Sequence, residues 1–285
     1  MKRTRPSEIK ALLAERDILP SRVLGQNFLV DQNILDIILA SAHVAEGDGV
    51  LEIGPGLGVL TEPLLARARQ VVAIEKDRRL HAYLQETFGG HPRLELIQAD
   101  ALDLDLPDYI HTKGITHVVS NLPYSAGTRI LVELIHAESR PLRMVVMLQS
   151  DVAERLVAGP GTKAYGSLSI QAQLYYDVVL RKQVSPSCFY PPPEVRSALV
   201  EFYRLDATRH AVHAPDHFRA LIKWCFSQRR KQIGTILHHA PASLMGTAPA
   251  IATCLETAGL THDRRPESIA IAAWCALSNA LTGKA

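Results

Sequence analysis

The chain has 285 residues, of which 47% are hydrophobic and 21% are charged, and its formal net charge is +2. This length and composition are ordinary for a globular protein and allow one large domain or two smaller ones. The small net charge excludes a uniformly basic surface, so any binding to nucleic acid must come from local basic clusters. No uninterrupted apolar stretch is long enough to span a membrane.

Cysteine and histidine usage gives no sign of a metal site or a disulfide framework. The four cysteines are far apart in the sequence and form no CxxC pair, which favours reduced thiols in a cytoplasmic protein. The pair His238–His239 lacks both an HExxH context and flanking cysteines. We therefore expect no metal ion, no membrane partner and a cytoplasmic location.

The N-terminal residues 1–21 mix basic with acidic side chains, a pattern typical of a solvated arm or of a basic arm that touches phosphates. The stretch LGQNFLVD, Leu24–Asp31, comes next. Its polarity suits a lid across the mouth of a site, although a simple packing segment would read the same way. Asp31 is predicted to cap a helix over Gln32–His43.

A glycine-rich turn follows at Val50–Thr61, VLEIGPGLGVLT. A short buried strand ends at Ile53, three glycines follow, and a helix-like run begins near Val59. Because glycine lets the backbone approach a ligand closely, this geometry is typical of nucleotide binding. An ordinary strand-to-helix turn in an α/β domain is the alternative.

Apolar runs and helix-like runs alternate after this turn. The predicted strands are Val71–Ile74, Leu94–Ile97, His117–Ser120 and Met144–Leu148, and the predicted helices lie near Arg79–Phe88, Thr128–His136 and Val152–Val157. The alternation predicts an α/β fold with a parallel sheet. Ligands bind beyond the carboxyl ends of such strands, and Glu75, Asp100 and Asn121 each follow an apolar run.

The last third of the chain changes character. A glycine-rich basic loop at about Gly159–Gly166 precedes two runs, Asp177–Val184 and Ser197–Leu205, that suit an antiparallel sheet edge, with the stiff segment Pro186–Pro193 between them. Helical patterns then cover Pro215–His238, about Pro249–Ala258, and Pro266–Leu281. We expect a first domain over residues 1–206, with its N-terminal arm and lid, and a small all-α domain over residues 207–285.

Two acidic residues at predicted strand ends suit a bound nucleoside. Glu75 lies 21 residues beyond Gly54 (75 − 54), which is the spacing at which a carboxylate accepts hydrogen bonds from ribose hydroxyls. An NAD-dependent dehydrogenase would use the same arrangement. Asp100 can accept from the exocyclic amine of an adenine, and Leu102 can pack on its ring.

The tetrapeptide Asn121-Leu122-Pro123-Tyr124 distinguishes between these possibilities. The N6 atom of adenine is a poor nucleophile because its lone pair is delocalised into the ring. The Asn121 amide oxygen and the Leu122 carbonyl can accept both N6 hydrogens, while Pro123 stiffens the turn and Tyr124 can stack on an unstacked base. Transfer of a methyl group from S-adenosylmethionine would then depend on positioning and electrostatics. The alternative is a proline turn with a core tyrosine.

The ordered motifs LGQNFL, EIGPGLGVLT, AIEKD, QADAL, NLPY, RLVAGPGTKAYGSLS, FYPPPEVRSALV and FSQRRKQI together resemble the KsgA/RsmA family. That family dimethylates two adjacent adenines near the 3′ end of small-subunit (16S) rRNA. The resemblance covers nearly the whole chain. It implies a Rossmann-like class I S-adenosylmethionine-dependent methyltransferase domain followed by a small helical domain that binds RNA.

The resemblance also implies roles for individual residues. Contacts to S-adenosylmethionine are expected at Asn27, Leu29, Gly54, Gly56, Glu75, Asp100, Ala101 and Asn121. Phe189 would face Tyr124 across the flipped adenine, with a core phenylalanine as the alternative. Contacts to rRNA are expected from Lys163 and from Arg229, Arg230 and Lys231 in the helix at Pro215–His238, for which a solvated helix face is the alternative.

Two segments depart from the family pattern. Ser125–Thr128 lacks the asparagine that is common after the NLPY motif, and Gly234–Ile236 lacks an asparagine-serine pair that is common after the basic cluster. These departures concern the shape of the substrate pocket and of the RNA surface, and they leave the chemistry unchanged.

The favoured hypothesis is therefore a monomeric, cytoplasmic rRNA adenine N6,N6-dimethyltransferase that acts on the small subunit late in its assembly. One rival is the related Erm type, which methylates an adenine of large-subunit rRNA. Another is an assembly factor in which catalysis is secondary. An NAD-dependent dehydrogenase is the weakest rival because it has no use for the NLPY motif.

Overall fold

A computed structural model of the chain describes residues 6–21, 24–245 and 250–283, which form two compact units. The first unit contains the described residues up to Ala153 together with Val178–Arg204, and the second contains Glu154–Asp177 and the described residues from Leu205 onward. The change near residue 205 lies close to the expected boundary between residues 206 and 207. The segment Glu154–Asp177 was expected in the first domain but belongs to the second unit.

The strands are β1 (Phe28–Leu29), β2 (Gly49–Ile53), β3 (Gln70–Glu75), β4 (Leu94–Gln98), β5 (Ile115–Asn121), β6 (Arg143–Gln149), β7 (Tyr176–Val184), β8 (Phe189–Tyr190) and β9 (Ser197–Arg204). The helices are α1 (Pro6–Glu15), α2 (Gln32–Ala42), α3 (Thr61–Leu65), α4 (Arg78–Phe88), α5 (Leu106–Thr112), α6 (Gly127–His136), α7 (Ser150–Val157), α8 (Ser167–Tyr175), α9 (Pro215–Ser227), α10 (Ile233–His238), α11 (Ala242–Met245), α12 (Ile251–Thr257) and α13 (Ile271–Leu281). Within the described residues, no helix is long and apolar enough to cross a membrane.

The central sheet has seven strands in the order β4-β3-β2-β5-β6-β9-β7. Strands β2 to β6 pair in parallel, and β9 pairs with β6 in the antiparallel direction. All five residues of β2 are buried, which is typical of a central parallel strand covered on both faces. The predicted parallel sheet with an antiparallel edge is confirmed. Glu75 is the last residue of β3 and Asn121 is the last residue of β5, so both lie at the carboxyl ends of the parallel strands.

The N-terminal segment differs from the expected solvated arm. Pro6–Glu15 forms helix α1, whose Ile9, Leu12 and Leu13 are buried in a hydrophobic cluster with Tyr83 and neighbouring residues of α4. The three apolar residues have the i, i+3, i+4 spacing of one helix face, and the surrounding charges obscured that spacing in the sequence. The remaining arm residues, Met1–Arg5, lie outside the described residues.

The second unit is helical, and α8, which the sequence analysis did not predict, belongs to it. The Gln173 side chain on α8 donates hydrogen bonds to the carbonyls of Leu156 (2.8 Å) and Ala158 (2.9 Å). The Tyr165 hydroxyl donates to the Ile269 carbonyl over 2.9 Å. The Gln173 bonds hold Glu154–Asp177 together, and the Tyr165 bond joins it to the segment that precedes α13.

One departure from the family pattern has a steric reason. Gly234 on α10 faces the ring of His262, and a Cβ at position 234 would lie 1.8 Å from His262 Cδ2. A larger residue at position 234 therefore requires the His262 ring to move. The expected start of the next helix at Pro249 lies outside the described residues, and α12 begins at Ile251.

Candidate active site

A pocket of about 370 Å³ opens at the carboxyl ends of the parallel strands in the first unit. Its volume falls in the range of roughly 300–1,000 Å³ that is usual for small-molecule sites. The predicted residues that line it are Asn27, Leu29, Gly54, Gly56, Glu75, Asp100, Ala101, Leu102, Asn121 and Pro123. The fold thus brings together every residue that was predicted to contact the cofactor, from five separate segments of the chain.

The glycine turn forms one wall of this pocket. Gly54 and Gly56 have φ angles of +68° and +60°, a left-handed conformation that other residues adopt only with strain. A Cβ on Gly56 would lie 3.2 Å from the Phe28 ring. The turn therefore exposes main chain rather than side chains to a ligand.

Glu75 ends β3 with its side chain buried against the glycine turn. Oε2 accepts a hydrogen bond from the Gly56 amide (3.1 Å), and Oε1 accepts one from the Asp77 amide (2.8 Å). Burial raises the pKa of Glu75, while these two amide donors act in the opposite direction. Since a carboxylate has about four acceptor positions, acceptor capacity remains for hydroxyl groups of a ligand.

Asp100 occupies the next strand end along the sheet edge. Its Oδ2 accepts from Lys76 Nζ (2.6 Å), and its Oδ1 accepts from the Leu102 amide (3.0 Å). The Lys76 ammonium is the main reason that the pKa of Asp100 is lowered, and the positive charge of Arg129 contributes. Asp100 is therefore an ionised acceptor at the edge of the pocket.

The side-chain amide of Asn121 makes a hydrogen bond through its nitrogen but not through its oxygen among the described residues. Its Nδ2 donates to the main-chain carbonyl of Asn27 over 3.0 Å, whereas Oδ1 is buried without a hydrogen-bond partner among the described residues. A buried acceptor without a donor is unfavourable by roughly 1–3 kcal/mol. Because the Asn27 carbonyl can only accept, the donating end of the amide must face it and the accepting end must face away.

The residues after Asn121 form a tight turn at the start of α6. Leu122 and Tyr124 do not line the pocket, in contrast to Pro123. Leu122 is 1% exposed as a whole residue and belongs to the core, so its carbonyl can meet a base only after a local movement of the turn. The Tyr124 hydroxyl makes a short hydrogen bond with Ser197 Oγ, and burial raises the pKa of that phenol. The ring is therefore held by its polar end.

Phe189 does not occupy the position expected for a stacking residue. It is 3% exposed, lies in a hydrophobic cluster with Val119 and Leu199, and is absent from the pocket lining. Strand β8 pairs with β1, which sets Phe189 opposite Leu29. The alternative of a core phenylalanine describes this structure, and contact with a base would require the ring to leave the cluster.

A profile of the ribosomal RNA adenine dimethylase family matches residues 21–280. The chain belongs to this family. Ribosomal RNA small subunit methyltransferase A of Opitutus terrae is 42% identical over 95% of the chain and 97% of the relative. The protein of the same name from Alkaliphilus oremlandii is 37% identical over 98% of each chain. The predictions of a dimethylase of the KsgA/RsmA family and of its enzyme class are confirmed.

Solved structures support the same fold. A dimethyladenosine transferase from Plasmodium falciparum has a TM-score of 0.74 and 26% identity, and the match covers 87% of this chain and 95% of that one. The 23S rRNA methyltransferase ErmE has a TM-score of 0.67 at 24% identity, with 90% and 99% covered, and shows likeness of fold. The predicted Rossmann-like class I methyltransferase fold with a helical C-terminal region is confirmed.

Several polar residues of the pocket lining in this dimethylase were not predicted as site residues, among them Glu52, Gln26 and Arg129. Glu52 had a signal, since it is an acidic residue within the apolar strand VLEI. Its side chain is 1% exposed and accepts a hydrogen bond from the Thr61 hydroxyl over 2.7 Å. Burial, opposed by that hydrogen bond, raises its pKa from the ordinary 4.5 to about 8. Arg129 lies on the exposed side of α6, and no sequence pattern marks it.

The raised pKa of Glu52 predicts how stability depends on pH. The native protein holds a proton that the unfolded chain releases near pH 4.5, so stability declines from there up to about pH 8, by about 1.4 kcal/mol per pH unit at most. Glu52→Gln should match the wild-type melting temperature at pH 4.5 and exceed it at pH 8. The exposed Glu46→Gln should not gain melting temperature over wild type between these two pH values. The same dependence of melting temperature on pH in Glu52→Gln and in wild type would contradict this assignment.

The predicted RNA contacts of this family member lie in the second unit. Arg229, Arg230 and Lys231 do not lie within one helix as expected, because the chain leaves helical geometry between α9 and α10. Arg230, Lys231 and Lys163 are exposed. Arg229 instead makes an ion pair with Glu267 (3.7 Å) and donates to the Thr162 carbonyl (3.3 Å), so it ties the glycine-rich loop to this turn.

The described residues 6–21, 24–245 and 250–283 contain no group of three or more His, Cys, Asp or Glu side chains placed to hold a metal ion.

Proposed function

We propose that the chain transfers methyl groups from S-adenosylmethionine to N6 of two adjacent adenines near the 3′ end of small-subunit (16S) rRNA, late in subunit assembly. The products are N6,N6-dimethyladenosines. The observation that carries the proposal is the Oδ1 atom of Asn121, a buried acceptor at the edge of the pocket for which residues 6–21, 24–245 and 250–283 offer no hydrogen-bond partner. The small-subunit names of relatives at 37–42% identity favour the small subunit over the Erm type.

The residues of the pocket fit S-adenosylmethionine. The set proposed to hold it is Asn27, Leu29, Gly54, Gly56, Glu75, Asp100, Ala101 and Asn121. Glu75 accepts hydrogen bonds from the ribose hydroxyls and Asp100 accepts one from the adenine amine, while the main chain at Gly54 and Gly56 provides room for close approach. When bound, S-adenosylmethionine supplies a methyl group on a positively charged sulfur, and that methyl group is the electrophile.

The chain's own contribution to the reaction is to make adenine N6 nucleophilic. Asn121 Oδ1 and the Leu122 carbonyl accept the two N6 hydrogens, which draws the nitrogen lone pair out of the ring and towards the methyl group. Because the Asn121 amide is fixed by the Asn27 carbonyl, little reorganisation is needed when the base arrives. No general base is required before transfer, and the proton on N6 leaves afterwards to water.

Stacking holds the flipped base. Pro123 stiffens the turn, and Tyr124 presents its ring while its hydroxyl is anchored on Ser197. Phe189 supplies the opposite face only after leaving its hydrophobic cluster, so the second face of the adenine site forms on substrate binding. The residues proposed to hold the cofactor all come from one chain, which supports action as a monomer, and the ribosomal substrate supports a cytoplasmic location.

The exposed Lys163, Arg230 and Lys231 bind rRNA phosphates, and Arg229 acts with them and orders the loop that carries Lys163. Neutralising Arg230 should weaken small-subunit binding and lower the slope of log affinity against log salt by roughly 0.7–0.9, the value for one phosphate contact. Filter binding at several salt concentrations measures the slope. Arg219→Gln on the same unit, which removes the charge of a residue paired with Asp216, is the control. An unchanged slope in Arg230→Gln would remove Arg230 from the RNA surface.

Primer extension on 16S rRNA tests the proposed reaction in cells. Dimethylation removes both N6 hydrogens from the pairing edge of adenine, so reverse transcriptase stops at a modified base. Cells that express the chain should give stops at two adjacent adenines near the 3′ end. Cells that express only Asn121→Ala should give much weaker stops. Stops that persist without the chain, or that occur in large-subunit rRNA, would refute the assignment.

A further inference from the structure

Gln26 lies in the lid segment, defined as Gly25–Leu29, and both ends of its side-chain amide are engaged. Oε1 accepts from the Ser21 amide over 2.7 Å, and Nε2 donates to Asp77 Oδ2 over 3.0 Å. The main-chain amide of Gln26 also donates to the Ser21 carbonyl, over 3.1 Å. A donor on one side and an acceptor on the other leave the amide one orientation, because a flipped amide would lose both side-chain bonds.

Asp77 connects this side chain to the proposed ribose carboxylate. Its main-chain amide donates to Glu75 Oε1 over 2.8 Å. Its Oδ1 accepts from the Arg79 amide over 2.8 Å and so caps helix α4. One oxygen of Asp77 thus fixes the helix start while the other holds Gln26, so the two functions of this side chain use different atoms.

The other side of the lid segment touches the NLPY turn. The carbonyl of Asn27 accepts from Asn121 Nδ2 over 3.0 Å, and Asn27 Nδ2 donates to the Gly25 carbonyl over 3.2 Å. Gly25 has a φ angle of +66°, and a Cβ there would lie 3.1 Å from the main-chain nitrogen of Tyr124. The position of this segment therefore decides where the Asn27 carbonyl stands, and that carbonyl orients the Asn121 amide.

We propose that Gln26 is a positioning residue for methyl transfer: by fixing the lid segment to Asp77, it holds the Asn27 carbonyl against Asn121 and keeps Oδ1 directed at the adenine site. The proposal rests on the proposed function, since it assigns Asn121 as the acceptor for N6. Gln26 acts through Asn27 and Asp77 because its own amide is taken up by protein groups. The Gln26 side chain thereby connects the end of the pocket that holds the ribose with the end that holds the target base.

Loss of the contact should affect turnover more than folding. A misplacement of about 1 Å at a reacting group can lower a rate by roughly 10²-fold. Gln26→Glu preserves the size of the side chain and its bond from Ser21, but it sets a carboxylate against Asp77. Asp77→Asn keeps the Oδ1 cap of α4 and sets an amide donor against the Gln26 donor. We expect each single variant to lower kcat roughly 10- to 100-fold and to weaken S-adenosylmethionine binding several-fold.

The exchange of both partners is the decisive test. In the double variant Gln26→Glu with Asp77→Asn, the amide at position 77 can donate to the carboxylate at position 26, which restores the hydrogen bond with its direction reversed. Three readouts are taken: the Kd for S-adenosylmethionine by calorimetry, kcat and KM on small subunits, and amide hydrogen exchange of a peptide covering residues 18–31. Gln32→Ala, a glutamine replacement on the neighbouring helix α2, is the matched control.

Recovery of all three readouts in the double variant, with both single variants impaired and the control unchanged, supports the proposal. Additive loss in the double variant overturns it, because it shows that the two side chains act independently. Wild-type kcat in Gln26→Glu also overturns it. If the wild-type chain does not methylate small subunits, the proposed function fails, while cofactor affinity and hydrogen exchange still decide whether Gln26 and Asp77 fix the lid segment.

Discussion

Asn121→Ala should lower kcat for methyl transfer by roughly 10²–10³-fold, the usual effect of removing a group that stabilises the reacting centre. The substitution removes the buried Oδ1 acceptor and the Nδ2 donor that reaches the Asn27 carbonyl. Affinity for S-adenosylmethionine should fall much less, since the Glu75 and Asp100 carboxylates remain. Transfer kinetics on small subunits and calorimetric titration with S-adenosylmethionine measure the two effects separately.

Two further variants give this prediction its controls. Asn121→Asp keeps an acceptor but replaces the donor that faces the Asn27 carbonyl, so it should be impaired although an oxygen remains. Glu46→Gln changes an exposed residue outside the pocket lining and should retain wild-type turnover. Full activity in Asn121→Ala would contradict the role given to the NLPY turn.

Glu75→Ala is expected to raise the Kd for S-adenosylmethionine by roughly 10²-fold, because hydrogen bonds to a charged group contribute about 1.5–3 kcal/mol each. The substitution removes the proposed ribose acceptor. It also leaves the amides of Gly56 and Asp77 without the acceptor that they use now, so the glycine turn loses a support. Calorimetry with S-adenosylmethionine and with its demethylated product measures the change.

A stability measurement keeps this result interpretable. Glu75→Gln retains one acceptor oxygen and should bind with intermediate affinity, whereas the exposed Glu46→Ala should bind as wild type does. Melting curves without cofactor identify any unfolded fraction in the Glu75 variants. Wild-type affinity in a folded Glu75→Ala would exclude the carboxylate from the cofactor site.

The sheet and the end of each strand were predictable from the sequence for a physical reason. Buried parallel strands are largely continuous apolar runs, and a polar residue that follows such a run marks the strand end, as at Glu75 and Asn121, although Glu52 is a polar residue within β2. Helix α1 was not predictable in this way, because its apolar stripe has only three members and charged residues flank it on both sides. Helix α8 lacks a polar face, since six of its nine residues are buried, and no amphipathic period reveals it.

The site was only partly accessible to the same reasoning. Asn27 and Leu29 came from the family resemblance alone, because a contact that closes over a pocket from a distant segment leaves no periodic signal. Gln26 and Arg229 show the complementary difficulty. The side chain of Gln26 pairs with an aspartate 51 positions away, and Arg229 pairs with Glu267. The sequence shows that such residues are polar or charged, but it does not show which distant residue each one contacts.

The most direct test of the account is methyl transfer with labelled S-adenosylmethionine to purified small subunits that lack the modification, with large subunits in parallel. Mass spectrometry of the nucleosides identifies the product. The account predicts N6,N6-dimethyladenosine in small subunits and none in large subunits, with product formation by Asn121→Ala slower by roughly 10²–10³-fold. Label in the large subunit, or no label in either subunit with S-adenosylmethionine bound, would contradict it.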